Sequence, residues 1–180
     1  MVELAKALAQ HPAVHRVDLL TRLIQDPSVD ASYGEPEECL WAGPEPSSGA
    51  FIVRLPFGPT DKYLRKELLW PHLRELADRG VAHVQGQLQA LNAGGAKVRL
   101  YAVHGHYADA AEAAAMLASS LGVEMVMTGH SLGRNKLEHL LKGGSLSRAE
   151  IERTYNITRR VEGEERGLDH ASGEIVDNIN

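Results

Sequence analysis

The sequence predicts an α/β fold in which a parallel sheet is covered by helices on both faces. Short segments rich in Val, Ile and Leu alternate along the chain with segments of helical spacing. The strand-like segments lack the alternation of a half-exposed strand, which is typical of buried parallel strands. The length of 180 residues suits one ordinary domain with a sizeable core.

The composition is that of an ordinary globular chain. Hydrophobic residues make up 43% of it and charged residues 24%, which excludes collagen-like, disulfide-rich and strongly disordered proteins. The net charge of −5 provides no sequence-wide attraction to nucleic acid or to an anionic membrane. Aromatic residues, at 5%, form no basic-aromatic pattern that would bind single-stranded nucleic acid. We therefore expect neither nucleic acid nor a membrane as a partner.

Targeting and redox features favour the cytoplasm. The sequence shows neither a signal-peptide pattern after Met1 nor an apolar run of about 18 residues, the length of a membrane span. The single cysteine, Cys39, excludes a disulfide within the chain. A reducing cytoplasmic compartment is the expected location.

The first half of the chain predicts one helix and two strands. Apolar side chains of residues 2–9 form a single helical stripe. Residues 14–21 and 50–56 are short, apolar and bounded by turn formers, so we expect two buried strands. Residues 30–49 collect Pro, Gly, Ser and Glu, which predicts a surface loop.

The second half continues the alternation. Ser147 and Glu150 form a Ser-x-x-Glu capping box, which predicts the start of a long helix. The other expected elements are a helix at 66–91, a strand at 97–104, a helix at 109–121, a strand at 124–128, a short helix at 135–142 and the beginning of a strand at 174–176. With no internal repeat and no second complete domain, the chain is expected to form one lobe.

Two polar segments follow predicted strands and mark the expected ligand site. They are residues 104–109 (HGHYAD) and 128–133 (TGHSLG). In open parallel sheets, ligands bind where loops leave the carboxyl ends of the strands. The sequence therefore predicts a binding site formed by these two segments.

The second segment contains Gly-x-Ser-x-Gly at 129–133, the elbow that exposes the nucleophile of an α/β-hydrolase. A hydrolase would also need an acid and a histidine on later strands, and the only candidates are the adjacent Asp169 and His170. Because these two lie within or just beyond a predicted helix, a triad with Ser131 has no place to assemble. An esterase is accordingly the weaker interpretation.

Four side chains of the two segments invite a metal-site interpretation: His104, His106, Asp109 and His130. Imidazole and carboxylate groups suit Zn or Fe, but this spacing matches no specific metal signature. Histidines at strand ends more often hydrogen-bond a substrate or the backbone. We expect no metal.

Basic residues are a further candidate feature. Lysine offers a point charge and arginine a planar fork, both suited to phosphate oxygens. The alternative is a solvated charged surface, which is the common fate of any one such residue. Trp70, beside Leu69 and Leu73, is expected to be a core anchor. The basic residues concerned are Lys62, Arg65, Lys66, Arg134, Lys136, Arg159 and Arg160.

Four segments closely resemble sucrose-phosphate synthases of plants and algae: RLPFGPTDKYLRKELLWPHL, HGHYADAAEAAAMLASSLGV, TGHSLGRNKLEHLLK and TYNITRRVEGEE. The likeness extends to about residue 174. It implies a retaining glycosyltransferase of the GT-B architecture, with two Rossmann-like lobes. The family reaction is glucosyl transfer from UDP-glucose to fructose 6-phosphate, giving sucrose 6-phosphate and UDP. The N-terminal lobe mainly holds the acceptor and the C-terminal lobe the donor.

The same resemblance implies roles for individual residues. His130 would lie beside the transferred glucosyl group, and Ser131 and Lys136 near the acceptor. No metal or other cofactor is implied, since UDP-glucose is a co-substrate, and the donor phosphate is thought to help deprotonate the acceptor. The remaining implied contacts are to the acceptor phosphate from Lys62 or Lys66 with Arg159 and Arg160, and to the acceptor cleft from His106, Tyr107 and Asp109.

Departures from the family pattern suggest a partial N-terminal lobe spanning 1–180, truncated at both ends. Members have a first strand and a glycine-rich loop before the Val-Glu-Leu-Ala helix, and a C-terminal donor lobe that would supply UDP-glucose binding. The fragment alone is expected to be inactive. Two alternatives stay open: a noncatalytic sugar-phosphate-binding or regulatory remnant, which includes association with a full-length synthase, and a sucrose synthase-like enzyme that uses unphosphorylated fructose. TGHSLGRNK and the Arg159–Arg160 pair favour the phosphate-using family.

Overall fold

The computed structural model describes residues 1–176 and contains two compact units. The first unit comprises Met1–Tyr63 and Ala82–Leu100, and the second comprises Leu64–Val81 and the chain from Tyr101 onward. The assignment of residues 1–180 to one partial N-terminal lobe stays a prediction.

The first unit is built on a three-stranded sheet. Its strands are β1 (Arg16–Arg22), β2 (Glu37–Ala42) and β3 (Gly49–Leu55), in the order β1-β3-β2. β1 and β3 are parallel, and β2 is antiparallel to β3. The helix α1 (Val2–Ala9) packs on β1 and β3, where its Ala5 and Ala9 meet Ala50 in a small buried cluster.

The surface loop predicted for residues 30–49 is wrong in part, because β2 lies within it. Its turn formers sit outside the strand, and Leu40 and Trp41 are half-buried against the alanine cluster. Glu37 forms an ion pair with Arg16 of β1, and Glu38 forms one with Arg54 of the neighbouring β3. These contacts stabilise β2, whose strand pattern is hard to recognise in the sequence because polar residues and turn formers surround it.

The helix predicted at residues 66–91 begins later than expected. Two short 3-10 turns, Lys66–Leu68 and Trp70–His72, precede α2 (Leu73–Ala93). Pro71 has no amide hydrogen and disfavours helical backbone in the residue before it, so continuous helix starts only after it.

The second unit contains an all-parallel sheet of order β4-β5-β6. Alanines of α3 pack on Met125 and Met127 of β5, and α6 packs against α3. The elements are β4 (Ala102–His106), α3 (Tyr107–Leu121), β5 (Glu124–Gly129), α4 (Gly133–Lys142), α5 (Arg148–Tyr155), α6 (Ile157–His170) and β6 (Gly173–Val176). The α/β class with parallel strands is thus confirmed.

Two boundaries in this part of the chain differ from expectation. The strand predicted at 97–104 begins at Ala102, because the backbone of Val98 hydrogen-bonds the side chain of Asn92 instead of a neighbouring strand. The long helix predicted after Ser147 is two helices, since Asn156 adopts left-handed backbone (φ 46°). The capping box of Ser147 and Glu150 is confirmed.

Among residues 1–176, no helix has both the length and the apolar character needed to cross a membrane.

Candidate functional site

The two predicted segments lie at neighbouring strand ends in the second unit. β4 and β5 are parallel, and their register pairs His104 with Val126 and His106 with Thr128. The carboxyl ends of both strands therefore meet at one edge of the sheet. The chain continues from one strand into α3 and from the other into the GHSLG segment.

Three histidine rings stack at this edge. The ring centroids of His104 and His106 are 3.9 Å apart, and those of His106 and His130 are 5.3 Å apart. His104 Nε2 lies 2.7 Å from Thr128 Oγ1, and His106 Nδ1 lies 3.1 Å from His130 Nε2. A hydrogen bond between two ring nitrogens needs one of them to act as acceptor, so at least one of these two imidazoles is neutral.

Burial keeps the central ring neutral. Desolvation, together with the neighbouring His104 and His130, lowers the pKa of His106 to about 4. Desolvation, and then the charge of His130, lowers the pKa of His104 as well. At neutral pH His104 and His106 are thus uncharged hydrogen-bonding groups beside the strand ends.

The structure does not gather these residues into a metal centre. Within the described part of the chain, no group of three or more His, Cys, Asp or Glu side chains is placed to hold a metal ion. Asp109 lies in the first turn of α3, where Lys66 and Arg160 contribute to its electrostatic environment. The absence of a metal from the function stays a prediction.

The glycines of the GHSLG segment have packing roles. A Cβ on Gly133 would lie 2.9 Å from Val161 Cγ2, and one on Gly129 would lie 3.0 Å from Leu132 Cδ2. Ser131 is exposed, and no histidine among residues 1–176 hydrogen-bonds its hydroxyl. This geometry offers no support for a hydrolase triad at Ser131.

A small pocket lies in the second unit next to the first turn of α3. Three of its lining side chains are cationic and two are acidic, and three aromatic rings complete the wall. The lining residues are Lys66, Glu67, Trp70, Tyr107, Ala108, Asp109, Lys136, Tyr155 and Arg160.

Hydrogen bonds connect the pocket residue Arg160 and its ion-pair partner Glu164 to the GHSLG segment. Arg160 and Glu164 are each 5% exposed, and Arg160 Nε donates to Glu164 Oε1 over 2.9 Å. Glu164 Oε2 accepts the Gly133 amide over 2.6 Å, and Arg160 Nη2 donates to the Ser131 carbonyl. A buried ion pair with these further hydrogen bonds fixes the loop that carries His130 and Ser131.

Electrostatics distinguish two more pocket residues. Desolvation, then repulsion from Arg160 and Lys66, lowers the pKa of Lys136. Desolvation raises the pKa of Asp109, although Lys66 and Arg160 act in the opposite direction. An anion entering the pocket would relieve the repulsion among the three cations.

Two other predicted phosphate ligands, Arg159 and Lys62, make contacts of their own. Arg159 forms a bidentate pair with Glu112, with both N···O distances 2.7 Å, and it does not line the pocket. Lys62 belongs to the first unit, where its carbonyl accepts from the buried Arg22. Within the second unit the structure therefore brings together Lys66, Lys136 and Arg160, and Arg159 does not line their pocket. The phosphate role of Lys62 stays a prediction.

Three residues without a predicted ligand role also shape the site. Glu164 orients Arg160 and the Gly133 amide, Thr128 holds His104, and Tyr155 lies under Lys136 at 4.0 Å from Nζ to the ring centroid. The four-residue spacing of Arg160 and Glu164 on one helix was an available signal for their pairing. Thr128 lies in the predicted segment 128–133, whereas Tyr155 has no such local signal.

Comparison with known proteins identifies the relatives of this chain. It is 54% identical to a sucrose-phosphate synthase of Zea mays over 178 residues, which cover 94% of the chain and 17% of that relative. It is 53% identical to sucrose-phosphate synthase 4 of Arabidopsis thaliana, covering 95% of the chain and 17% of the relative. The spinach (Spinacia oleracea) enzyme is 51% identical over 98% of the chain and 18% of its own length.

A solved structure resembles the fold. A sucrose-phosphate synthase from Thermosynechococcus elongatus matches with a TM-score of 0.59 at 23% identity, over 96% of this chain and 34% of that one. No protein-family model matches. The chain thus spans about a sixth of the length of the curated plant relatives, at 17–18%.

Proposed function

We propose that this chain, which is homologous to a segment of sucrose-phosphate synthases, forms acceptor-side structure of such an enzyme. In this proposal the complete enzyme has the GT-B architecture and transfers a glucosyl group from UDP-glucose to fructose 6-phosphate, giving sucrose 6-phosphate and UDP. The observation that carries the proposal is the convergence of Lys66, Lys136 and Arg160 at one pocket.

The pocket chemistry supports a phosphorylated acceptor. Two ammonium groups and a guanidinium offer charge-assisted hydrogen bonds to phosphate oxygens, which are roughly twice as strong as neutral ones. The ammonium group of Lys136 makes no hydrogen bond or ion pair within residues 1–176, and Lys136 lies on α4, which directly follows the fixed GHSLG loop. Asp109 is a carboxyl group suited to accepting a sugar hydroxyl.

His130 is proposed to act on the transferred glucosyl group. Transfer develops positive charge on the glucosyl carbon and negative charge on the departing UDP, so fixed polar groups at that point lower the barrier. Because Nε2 of His130 faces His106, Nδ1 is the ring nitrogen left for the sugar. No side chain of this segment is assigned as general base, and the proposal includes no metal or other cofactor.

The remaining parts of the proposal concern partners and location. UDP-glucose would bind a donor lobe of the complete enzyme, and the acceptor would bind the pocket of the second unit. We also propose a cytoplasmic location, which the single cysteine, Cys39, favours, and microscopy of a tagged full-length protein would check it.

Replacement of the pocket lysine tests the proposal. Lys136→Ala should weaken fructose 6-phosphate binding by about tenfold or more, since a charge-assisted contact to phosphate is lost, and should leave fructose binding nearly unchanged. Calorimetric or NMR titration of the whole chain measures both ligands. The matched control is Lys142→Ala, on the same helix, where the exposed Lys142 pairs with Glu138 at 2.6 Å outside the pocket.

Different results would favour the alternatives. If Lys136→Ala weakened the binding of fructose 6-phosphate and of fructose equally, Lys136 would have no specific role in binding the phosphate. Equal affinity of the unmodified chain for fructose and fructose 6-phosphate would favour a sucrose synthase-like enzyme. Normal activity of a full-length relative in which the residue matching Lys136 is alanine would favour a noncatalytic binding role for this segment.

A further inference from the structure

All three pocket cations lie over tyrosine rings. Lys66 Nζ and Arg160 Cζ are each 4.3 Å from the ring centroid of Tyr107, and Lys136 Nζ is 4.0 Å from that of Tyr155. Tyr107 is therefore in contact with two like charges at once. The ring quadrupole attracts both cations and offsets part of the repulsion between them.

Holding a cation by a ring face leaves its hydrogen-bond donors free. Arg159 in the same helix also lies over a ring, with Cζ 4.3 Å from the ring centroid of Trp70, but two hydrogen bonds to Glu112 occupy its guanidinium. Arg160 donates from Nε to Glu164 and from Nη2 to the Ser131 carbonyl, and its Nη1 makes no hydrogen bond within residues 1–176. Lys66 donates one hydrogen bond, to Tyr107 Oη over 3.2 Å, which leaves two of its three donors.

The backbone of Tyr107 has an uncommon conformation. Tyr107 has φ of +76°, in the region that non-glycine residues rarely adopt, directly between β4 and α3. Such backbone is maintained where the surrounding structure determines it, and it occurs often at ligand sites. At the N-terminus of α3, this backbone conformation places the Tyr107 ring against both Lys66 and Arg160.

We infer that Tyr107 is a positioning residue that determines specificity for a phosphorylated acceptor, because its ring holds Lys66 and Arg160 with their donors directed to the phosphate. This inference rests on the proposed function and deepens it. Tyr107 holds the two cations next to each other, and the cations in turn contact the phosphate oxygens. Its loss should therefore affect phosphorylated ligands selectively.

The test compares Tyr107→Phe, Tyr107→Leu and Tyr107→Gly in the whole chain. NMR or calorimetric titrations with inorganic phosphate, fructose 6-phosphate and fructose give three affinities for each protein. Leu removes the ring, and we expect about a tenfold loss for the two phosphate ligands with fructose unchanged. Gly removes the ring and tolerates the positive φ, so it keeps the test valid where the Leu variant fails to fold. Phe keeps the ring and should bind within about threefold of the unmodified chain.

The matched control is Tyr101→Leu, since Tyr101 is 81% exposed, precedes β4 and lies outside the pocket. Unchanged phosphate affinity in folded Tyr107→Leu or Tyr107→Gly protein, with Lys136→Ala still impaired, would overturn the inference and leave the proposed function intact. A Phe variant as weak as Leu would assign the effect to the hydroxyl and overturn the role of the ring. Failure of the unmodified chain to prefer fructose 6-phosphate over fructose would contradict the proposed function itself.

Discussion

The histidine stack shows how one residue acquires its properties from its neighbours. His106 lies between His104 and His130, hydrogen-bonds the latter, and is partly desolvated at the end of β4. Desolvation, and then the neighbouring His104 and His130, disfavour the imidazolium form. A histidine in the unfolded chain has a pKa near 6.5, so His106 binds a proton less tightly in the folded state than in the unfolded state.

This difference predicts a pH dependence of stability. The pKa of His106 is about 4 when folded, so between about pH 6.5 and about pH 4 the unfolded chain binds more protons at this position. Stability should therefore fall as the pH decreases through that window, and should not change on this account at higher pH. In His106→Gln protein the loss of unfolding free energy between about pH 7 and about pH 5, measured by urea denaturation, should be smaller.

The exposed His11 provides the comparison. His11→Gln is the matched control for the loss of an imidazole, because that side chain lies at the surface of the first unit. An unchanged slope in His106→Gln would show that His106 titrates in the folded protein as it does in the unfolded chain.

The adjacent arginines of α6 show a limit of sequence reasoning at the same scale. Arg159 and Arg160 are neighbours in the chain, but their side chains leave the helix in directions about 100° apart. Glu112 of α3 occupies the first, and the second reaches the pocket and the GHSLG loop. The pair suggests a phosphate site, and only the partners presented by other elements decide which arginine faces it.

At the scale of elements, α6 depends on close approach to α3 and β5. A Cβ on Gly167 would lie 2.7 Å from Ala111 Cβ and 2.9 Å from the sulfur of the buried Met127. In a well-packed core these atoms have little room to move. Glycine lowers helix propensity, but here it permits the helix to lie against its neighbours.

Alanine substitutions separate these two effects. Gly167→Ala should lower the free energy of unfolding by about 1–2 kcal/mol, because the cost of overpacking exceeds the gain in helix propensity. Gly86→Ala, within α2, should raise it by up to about 1 kcal/mol, since a Cβ there meets no atom within 4 Å. Chemical denaturation of both variants measures the difference, and stabilisation by Gly167→Ala would contradict the packing described for α6.

At the scale of the whole molecule, glucosyl transfer needs two substrates held in alignment. Intramolecular reactions gain their rate from that alignment, and an acceptor site alone does not provide it. We expect residues 1–180 to bind fructose 6-phosphate but to form no detectable sucrose 6-phosphate when UDP-glucose is added. Mass spectrometry of the reaction mixture measures product, with a full-length plant synthase as positive control. Sustained product formation by the chain alone would refute this expectation.

Periodicity and composition alone determined the α/β class, the helix α1, the strands β1, β3 and β5, the capping box of Ser147, and the two segments at the strand ends. These features depend on local spacing and on the rule that ligands bind at the carboxyl ends of parallel strands. Only the tertiary structure decided that 30–49 contains β2, that Asn156 divides the last long helix, and that Lys66, Lys136 and Arg160 share one pocket with Tyr107. The reason is that these outcomes depend on contacts between residues far apart in the chain, such as Lys66 with Tyr107 and Arg160 with Ser131, which no local pattern encodes.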